Sequence, residues 1–185
     1  MENKEIFINF MAPIERQSVA ILMNCITENI MKGTQKVNLL ISSPGGEVHF
    51  GINIYNFLKG IPVDIVTHNF GSVDSISTII YCAGKKRLCS SNARFLIHGI
   101  SLNIAQAIGL EEKKIREFLG SMEIDRLNIS KIIAENCGKN AEDVQRDMLE
   151  GITLNPSKAV DYGLVHEIKD QLYPSGATII PIIKG

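Results

Sequence analysis

Through the first half of the chain, short apolar runs that stop at glycine or proline alternate with segments whose apolar residues recur at helical spacing. The clearest run, Val37-Asn38-Leu39-Leu40-Ile41, ends at Ser42-Ser43-Pro44-Gly45-Gly46 and suits a strand buried on both faces of a parallel sheet. Before it, residues 6–10 read as a strand and 18–31 as a helix, with Val19, Leu22, Ile26 and Ile30 on one face and Gly33 past its end. After it, Val48, Ile52, Tyr55 and Leu58 mark a helix closed by Gly60, and residues 63–67 mark another strand. The pattern then predicts a turn at Phe70-Gly71-Ser72, an apolar helix over 75–83 ended by Gly84, and strands at Arg87-Leu88-Cys89 and 94–97. Repeated strand-helix units predict an α/β fold, a parallel sheet with helices on its faces.

The second half begins with a longer helical pattern, from Leu110 to about Asn136, which reads as a surface helix on the sheet or two helices broken near Gly120, long enough to project. Asn140 with Asp143, and Asn155-Pro156 with Gly163, carry the signals of two further helices, and residues 165–168 those of a last strand. In 173–185, Ile179, Ile180, Ile182 and Ile183 are apolar but interrupted by Pro181, which points to packing on a neighbouring subunit. No linker divides the chain, and 185 residues, 45% of them hydrophobic, suit one domain over 1–185.

Charge and cysteine usage narrow the function classes. A net charge of -1 with no basic run argues against nucleic acid as a partner. No run of about 18 apolar residues predicts a membrane span, and the amino-terminal strand is too short and wrongly flanked for a signal peptide. Cys25, Cys82, Cys89 and Cys137 show neither C-x-x-C pairing nor disulfide density, so reduced thiols in a cytoplasm and no metal or cofactor are expected.

Three features near strand ends carry chemistry. Ser75 stands at the first turn of its helix, where free N–H groups favour a developing negative charge; as a cap or packing residue it is equivalent to Ser72 and Ser77. Gly45-Gly46 offers backbone N–H groups to an oxyanion, or is an ordinary Pro-Gly turn. His98, at the end of a strand, suits a general base, with His49, His68 and His166 as competitors. A serine, a histidine and paired N–H donors are the parts of acyl-transfer chemistry.

The segment Ser43-Pro44-Gly45-Gly46-Glu47-Val48, the block 71–77 around Ser75, Arg94-Phe95-Leu96-Ile97-His98, and Ala159-Val160-Asp161-Tyr162-Gly163-Leu164-Val165 together resemble the successive signatures of the Clp protease proteolytic subunit. The resemblance implies Ser75 as nucleophile, His98 as base, and the backbone amides of Gly46 and Ile76 as oxyanion donors. It implies the Clp/crotonase fold of stacked βαβ units with a protruding long helix, and homo-oligomeric rings that enclose the sites, the long helix forming the handle between rings. Peptides or unfolded proteins would be the substrates.

The chain departs from the family at four places. Val73-Asp74 and Ile76-Ser77 flank the serine where the family usually has two alanines and Met-Gly or Met-Ala. Gly151 stands where the family carries its aspartate, leaving Glu150 as the nearest substitute acid and Asp147 as a second. Ile100-Ser101-Leu102-Asn103-Ile104 replaces the Gly-rich stretch that binds substrate as an added strand, and the chain opens at its first strand, so coupling to an unfolding ATPase is not implied. Two alternatives follow: a catalytically silent ring subunit, or a crotonase-like acyl-CoA binder.

Overall fold

The computed structural model describes residues 4–101 and 111–182. One eight-stranded sheet carries the order β6-β5-β3-β2-β1-β8, with β4 beside β3 and β7 beside β4. Its strands are β1 (Glu5–Met11), β2 (Lys36–Ser43), β3 (Asp64–Asp74), β4 (Lys86–Cys89), β5 (Arg94–Ile97), β6 (Ile152–Leu154), β7 (Glu167–Ile168) and β8 (Ile179–Ile182). All pairings are parallel except β5 with β6. Helices α1 (Arg16–Met31), α2 (Val48–Gly60) and α3 (Ser77–Cys82) connect the first strands, and α4 (Glu112–Cys137), α5 (Ala141–Glu150) and α6 (Pro156–Asp161) follow.

The apolar runs became central strands because both of their faces are covered: Val37, Leu39, Leu40 and Ile41 are all buried. β3 departs from expectation. It runs through Phe70-Gly71-Ser72, where the sequence pattern predicts a turn, because polar side chains absorb the irregularity: Asn69 Oδ1 accepts from the Gly71 N–H at 3.0 Å and Ser42 Oγ from the Ser72 N–H at 3.3 Å. The register against β2 shifts there, between Ile41 and Ser43. β3 uses the bend to change partner, from β4 at Val66–Asn69 to β5 at Ser72–Asp74.

Helix α3 starts at Ser77, two residues later than predicted, because Ser75 takes φ 58 and stands outside it. α4 continues unbroken through Gly120; its buried residues, Ile129, Ser130, Ile133 and Ala134, all lie in its C-terminal half. Ile115, Leu119, Ile124 and Leu127 are exposed. Buried Arg87 anchors the C-terminal end of α4, donating to the carbonyls of Asn136 at 2.7 Å, Gly163 at 3.1 Å and Leu164 at 2.7 Å. The expected helix start at Leu110, the Leu102-Asn103-Ile104 part of the stretch after His98, and Ile183 lie outside the described residues.

The C-terminal apolar run pairs with β1 of its own chain, Phe7 opposite Ile179 through Phe10 opposite Ile182. Pro181 is tolerated because β8 is an edge strand and owes no donor to an outer neighbour. Asn140 and Asn155 are N-caps as expected, accepting from the N–H groups of Glu142 at 3.0 Å and Lys158 at 2.9 Å.

Candidate active site

The first half of the site is a strained corner between β3 and α3. Ser75 is the one non-glycine with positive φ among the described residues, a conformation that costs about 1–3 kcal/mol and persists only where the surroundings enforce it. Here its N–H donates to the Leu96 carbonyl at 2.8 Å and its carbonyl accepts from the Thr78 N–H at 3.0 Å. The Ser77 hydroxyl, fully buried, donates to the Asp74 carbonyl at 2.6 Å. Ser77, a rival to Ser75 in the sequence, is therefore a structural tie. A serine on a sharp strand-to-helix turn has its hydroxyl projected from the backbone, the arrangement used to present a nucleophile.

Gly45 lies directly against this corner. A Cβ there would sit 2.6 Å from Ser75 Cβ and 2.8 Å from the Asp74 carbonyl oxygen, at φ +87. The Pro-Gly-Gly turn is pinned to the Ile14 segment, the Ile14 N–H donating to the Gly45 carbonyl and the Glu47 N–H to the Ile14 carbonyl, each at 2.8 Å. Gly46 between them is packed so closely on Ile14 that a Cβ would approach its carbonyl oxygen to 2.2 Å. The backbone N–H groups of Gly46 and Ile76 have no backbone acceptor among the described residues.

The second half of the site is His98, one residue beyond β5. Its Nδ1 lies 2.7 Å from the Gly99 carbonyl oxygen. A carbonyl only accepts, so Nδ1 carries the proton and Nε2 is left as an acceptor. Gly46, Ser75, Ile76 and His98 all line one pocket of about 60 Å³, walled by Val48, Ile129, Ile133 and Met148. The competing histidines stand elsewhere. His68 is buried on a separate cavity with Lys36, Lys86 and Lys169, and burial pushes its pKa down. His166 accepts from the Arg87 N–H at 3.1 Å, and His49 lies 3.7 Å from Glu47.

Register explains what a third residue would do. β5 and β6 pair Leu96 with Thr153 and Ile97 with Ile152, so one further step sets His98 opposite Gly151. A Cβ on Gly151 would lie 3.9 Å from His98 Cβ. The position that carries aspartate in the resembling family thus faces the histidine, and here it holds no side chain. Glu150 is exposed at the end of α5, its carboxylate without a hydrogen bond or ion pair among the described residues. Asp147 is engaged elsewhere, accepting from the Tyr162 hydroxyl at 2.6 Å. Asp74, just before Ser75, is buried and pairs with Arg94 at 2.7 Å.

Several parts of the site carry no sequence signal. Ile129, Ile133 and Met148 read as helix-spaced core, and the Gly99 carbonyl, which sets the imidazole tautomer, belongs to the backbone. No group of three or more metal-ligating side chains occurs among the described residues, and no helix among them is long and apolar enough to cross a membrane.

Stacked βα units around one mostly parallel sheet, with the pocket at the strand ends, define an α/β protein of the Clp/crotonase type. The chain belongs to the Clp protease family, whose model matches residues 2–171. Among curated proteins, the ATP-dependent Clp protease proteolytic subunit of Paracoccus denitrificans is 33% identical over 139 residues, 72% of this chain and 66% of that protein. The ATP-dependent Clp protease proteolytic subunit 2 of Treponema denticola is 30% identical over 144 residues, 75% of this chain and 68% of that protein. The chain therefore spans about two thirds of these relatives' lengths. Among solved structures, a point mutant of ClpP1 from Listeria monocytogenes shares the fold, with a TM-score of 0.80 at 23% identity over 92% of this chain and 93% of that one.

Proposed function

We propose that this chain is a serine-type peptidase of the Clp proteolytic-subunit kind, acting on peptides or unfolded proteins through Ser75 and His98. The observation that carries the reading is the shared pocket: a serine held in a strained corner and a histidine with a free Nε2 line it together with two N–H donors. In the proposed reaction Ser75 Oγ attacks the scissile carbonyl carbon while His98 Nε2 takes the hydroxyl proton. The oxyanion is received by the Gly46 and Ile76 N–H groups. Collapse of the intermediate breaks the C–N bond, His98 returns its proton to the leaving amine, and water then releases the acyl group by the reverse sequence. Glu150, exposed and one residue away from the position facing His98, has no part in the reading.

Assembly into rings in a cytoplasm goes with this function. The projecting half of α4 supports it, since exposed Ile115, Leu119, Ile124 and Leu127 are the kind of face that a neighbouring subunit covers. Hydrolysis of a fluorogenic peptide and of an unfolded protein, compared between the native chain and Ser75→Ala, tests the reading. Turnover in the native chain that is lost in the variant is the expected result; turnover that survives overturns it.

A catalytically silent ring subunit is the second reading, and the bare Gly151 opposite His98 favours it. Native protein that assembles but turns over neither substrate would shift the assignment to it. The acyl-CoA alternative is not favoured by the comparisons.

A further inference from the structure

Asp74 is a carboxylate beside the pocket that the proposed reaction leaves without a task. It ends β3 immediately before Ser75 and is only 6% exposed. β3 and β5 run parallel with Ser72 opposite Arg94 and Asp74 opposite Leu96, so Asp74 shares a sheet face with residues 94 and 96. Alternation places Arg94 one step before it along β5, and His98 follows just past the end of that strand. Arg94 Nη2 donates to Asp74 Oδ2 at 2.7 Å, whereas Oδ1 is buried with no hydrogen-bond partner. A buried, half-satisfied carboxylate is a costly feature for a residue that only caps a turn. Burial pushes this carboxyl above the usual range, while Arg94 and His98, the charges acting on it, pull it back. On the neighbouring helices, Asp147 serves Tyr162, Glu150 faces solvent, Glu123 and Arg126 approach each other at 4.0 Å, and Glu47 lies by His49.

We infer that Asp74 is the positioning acid of this site: paired with Arg94, it supplies from the nucleophile's own strand the negative charge that stabilises the His98 imidazolium, in place of a carboxylate at position 151. The inference rests on the Ser75–His98 reading. In the familiar triad one aspartate both selects the tautomer and stabilises the cation. Here the tasks are divided, with the Gly99 carbonyl selecting the tautomer and Asp74 supplying the charge.

The sign of the Asp74 shift provides a test. A raised carboxyl pKa means that the native state holds this proton more readily than the unfolded chain, so stability falls as pH rises through its titration. Asp74→Asn and Asp74→Ala should therefore keep or raise Tm at neutral pH while slowing the chemistry. With a fluorophosphonate probe followed between about pH 5 and 9, we expect Ser75 labelling to slow about 10- to 100-fold and its acid limb to move to lower pH. Native rates with an unmoved limb, or a lowered Tm in both variants, overturn the role. NMR titration of the His98 ring, identified by its loss in His98→Gln, separates two failures. If Ser75 does not label in the native chain, the peptidase reading fails. If the ring titrates identically in native and Asp74→Asn protein, the role of Asp74 fails on its own.

Discussion

On the β3 side of the pocket, Ser75 is held by hydrogen bonds to Leu96 and from Thr78, by the Ser77 tie to the Asp74 carbonyl, and by Gly45 pressed against its Cβ. On the β5 side, the His98 ring is held by one hydrogen bond, to the carbonyl of the next residue, and the position facing it carries no side chain. The place of Ser75 is thus a property of the backbone, over-determined as strained residues must be. The orientation of the His98 ring depends on the few groups that stand around it. The bare Gly151 position lies on that second side.

Substitutions on the two sides should differ accordingly. The largest effect is expected from Gly45→Ala. Its methyl would meet Ser75 Cβ at 2.6 Å and the Asp74 carbonyl at 2.8 Å, and its φ of +87 disfavours any side chain. We expect probe labelling of Ser75 to fall at least about 100-fold and stability by about 2 kcal/mol or more, read from denaturant midpoints. Near-native labelling in this variant would break the contrast, because the corner would then not be enforced.

Gly151→Asp should have an intermediate effect of opposite sign. It places a carboxylate across the ladder from His98, so peptide turnover should rise severalfold, at a stability cost of about 1 kcal/mol for a side chain at φ 74. Unchanged turnover would show that the base side lacks nothing. The smallest effect belongs to Glu150→Gln, which touches an exposed carboxylate without partners among the described residues. Turnover and Tm should stay within about twofold and about 1 °C of native; a loss of tenfold or more would return Glu150 to the site.

The same contrast governs what was legible in the sequence. Strands bounded by glycine or proline were readable to within a residue or two, and β5 coincides with its predicted 94–97, because apolar runs and breakers act locally. The passage of β3 through Phe70-Gly71-Ser72 was not readable, since Asn69 and Ser42 satisfy the bend from the side. β6 is three residues long and exists only by pairing with β5, and Pro181 hid β8 because edge and interior strands look alike in one dimension. Ser75, Gly46 and His98 were visible as the parts of acyl-transfer chemistry, but only the family resemblance set them above their rivals and added Ile76. That Gly151 stands at the family's aspartate position follows from counting along the chain, and the β5–β6 register shows that this position faces His98. The Gly99 carbonyl and the Asp74–Arg94 pair needed coordinates, because neither a backbone acceptor nor a contact across 20 positions leaves a local pattern.

In the proposed reaction Ser75 and His98 act as one unit. Mass-spectrometric mapping of a fluorophosphonate adduct, on native protein and on His98→Ala, tests it most directly. We expect a single adduct on Ser75 whose formation slows by about two orders of magnitude or more without the imidazole. An adduct on another residue, or Ser75 labelling at the native rate in His98→Ala, would contradict it.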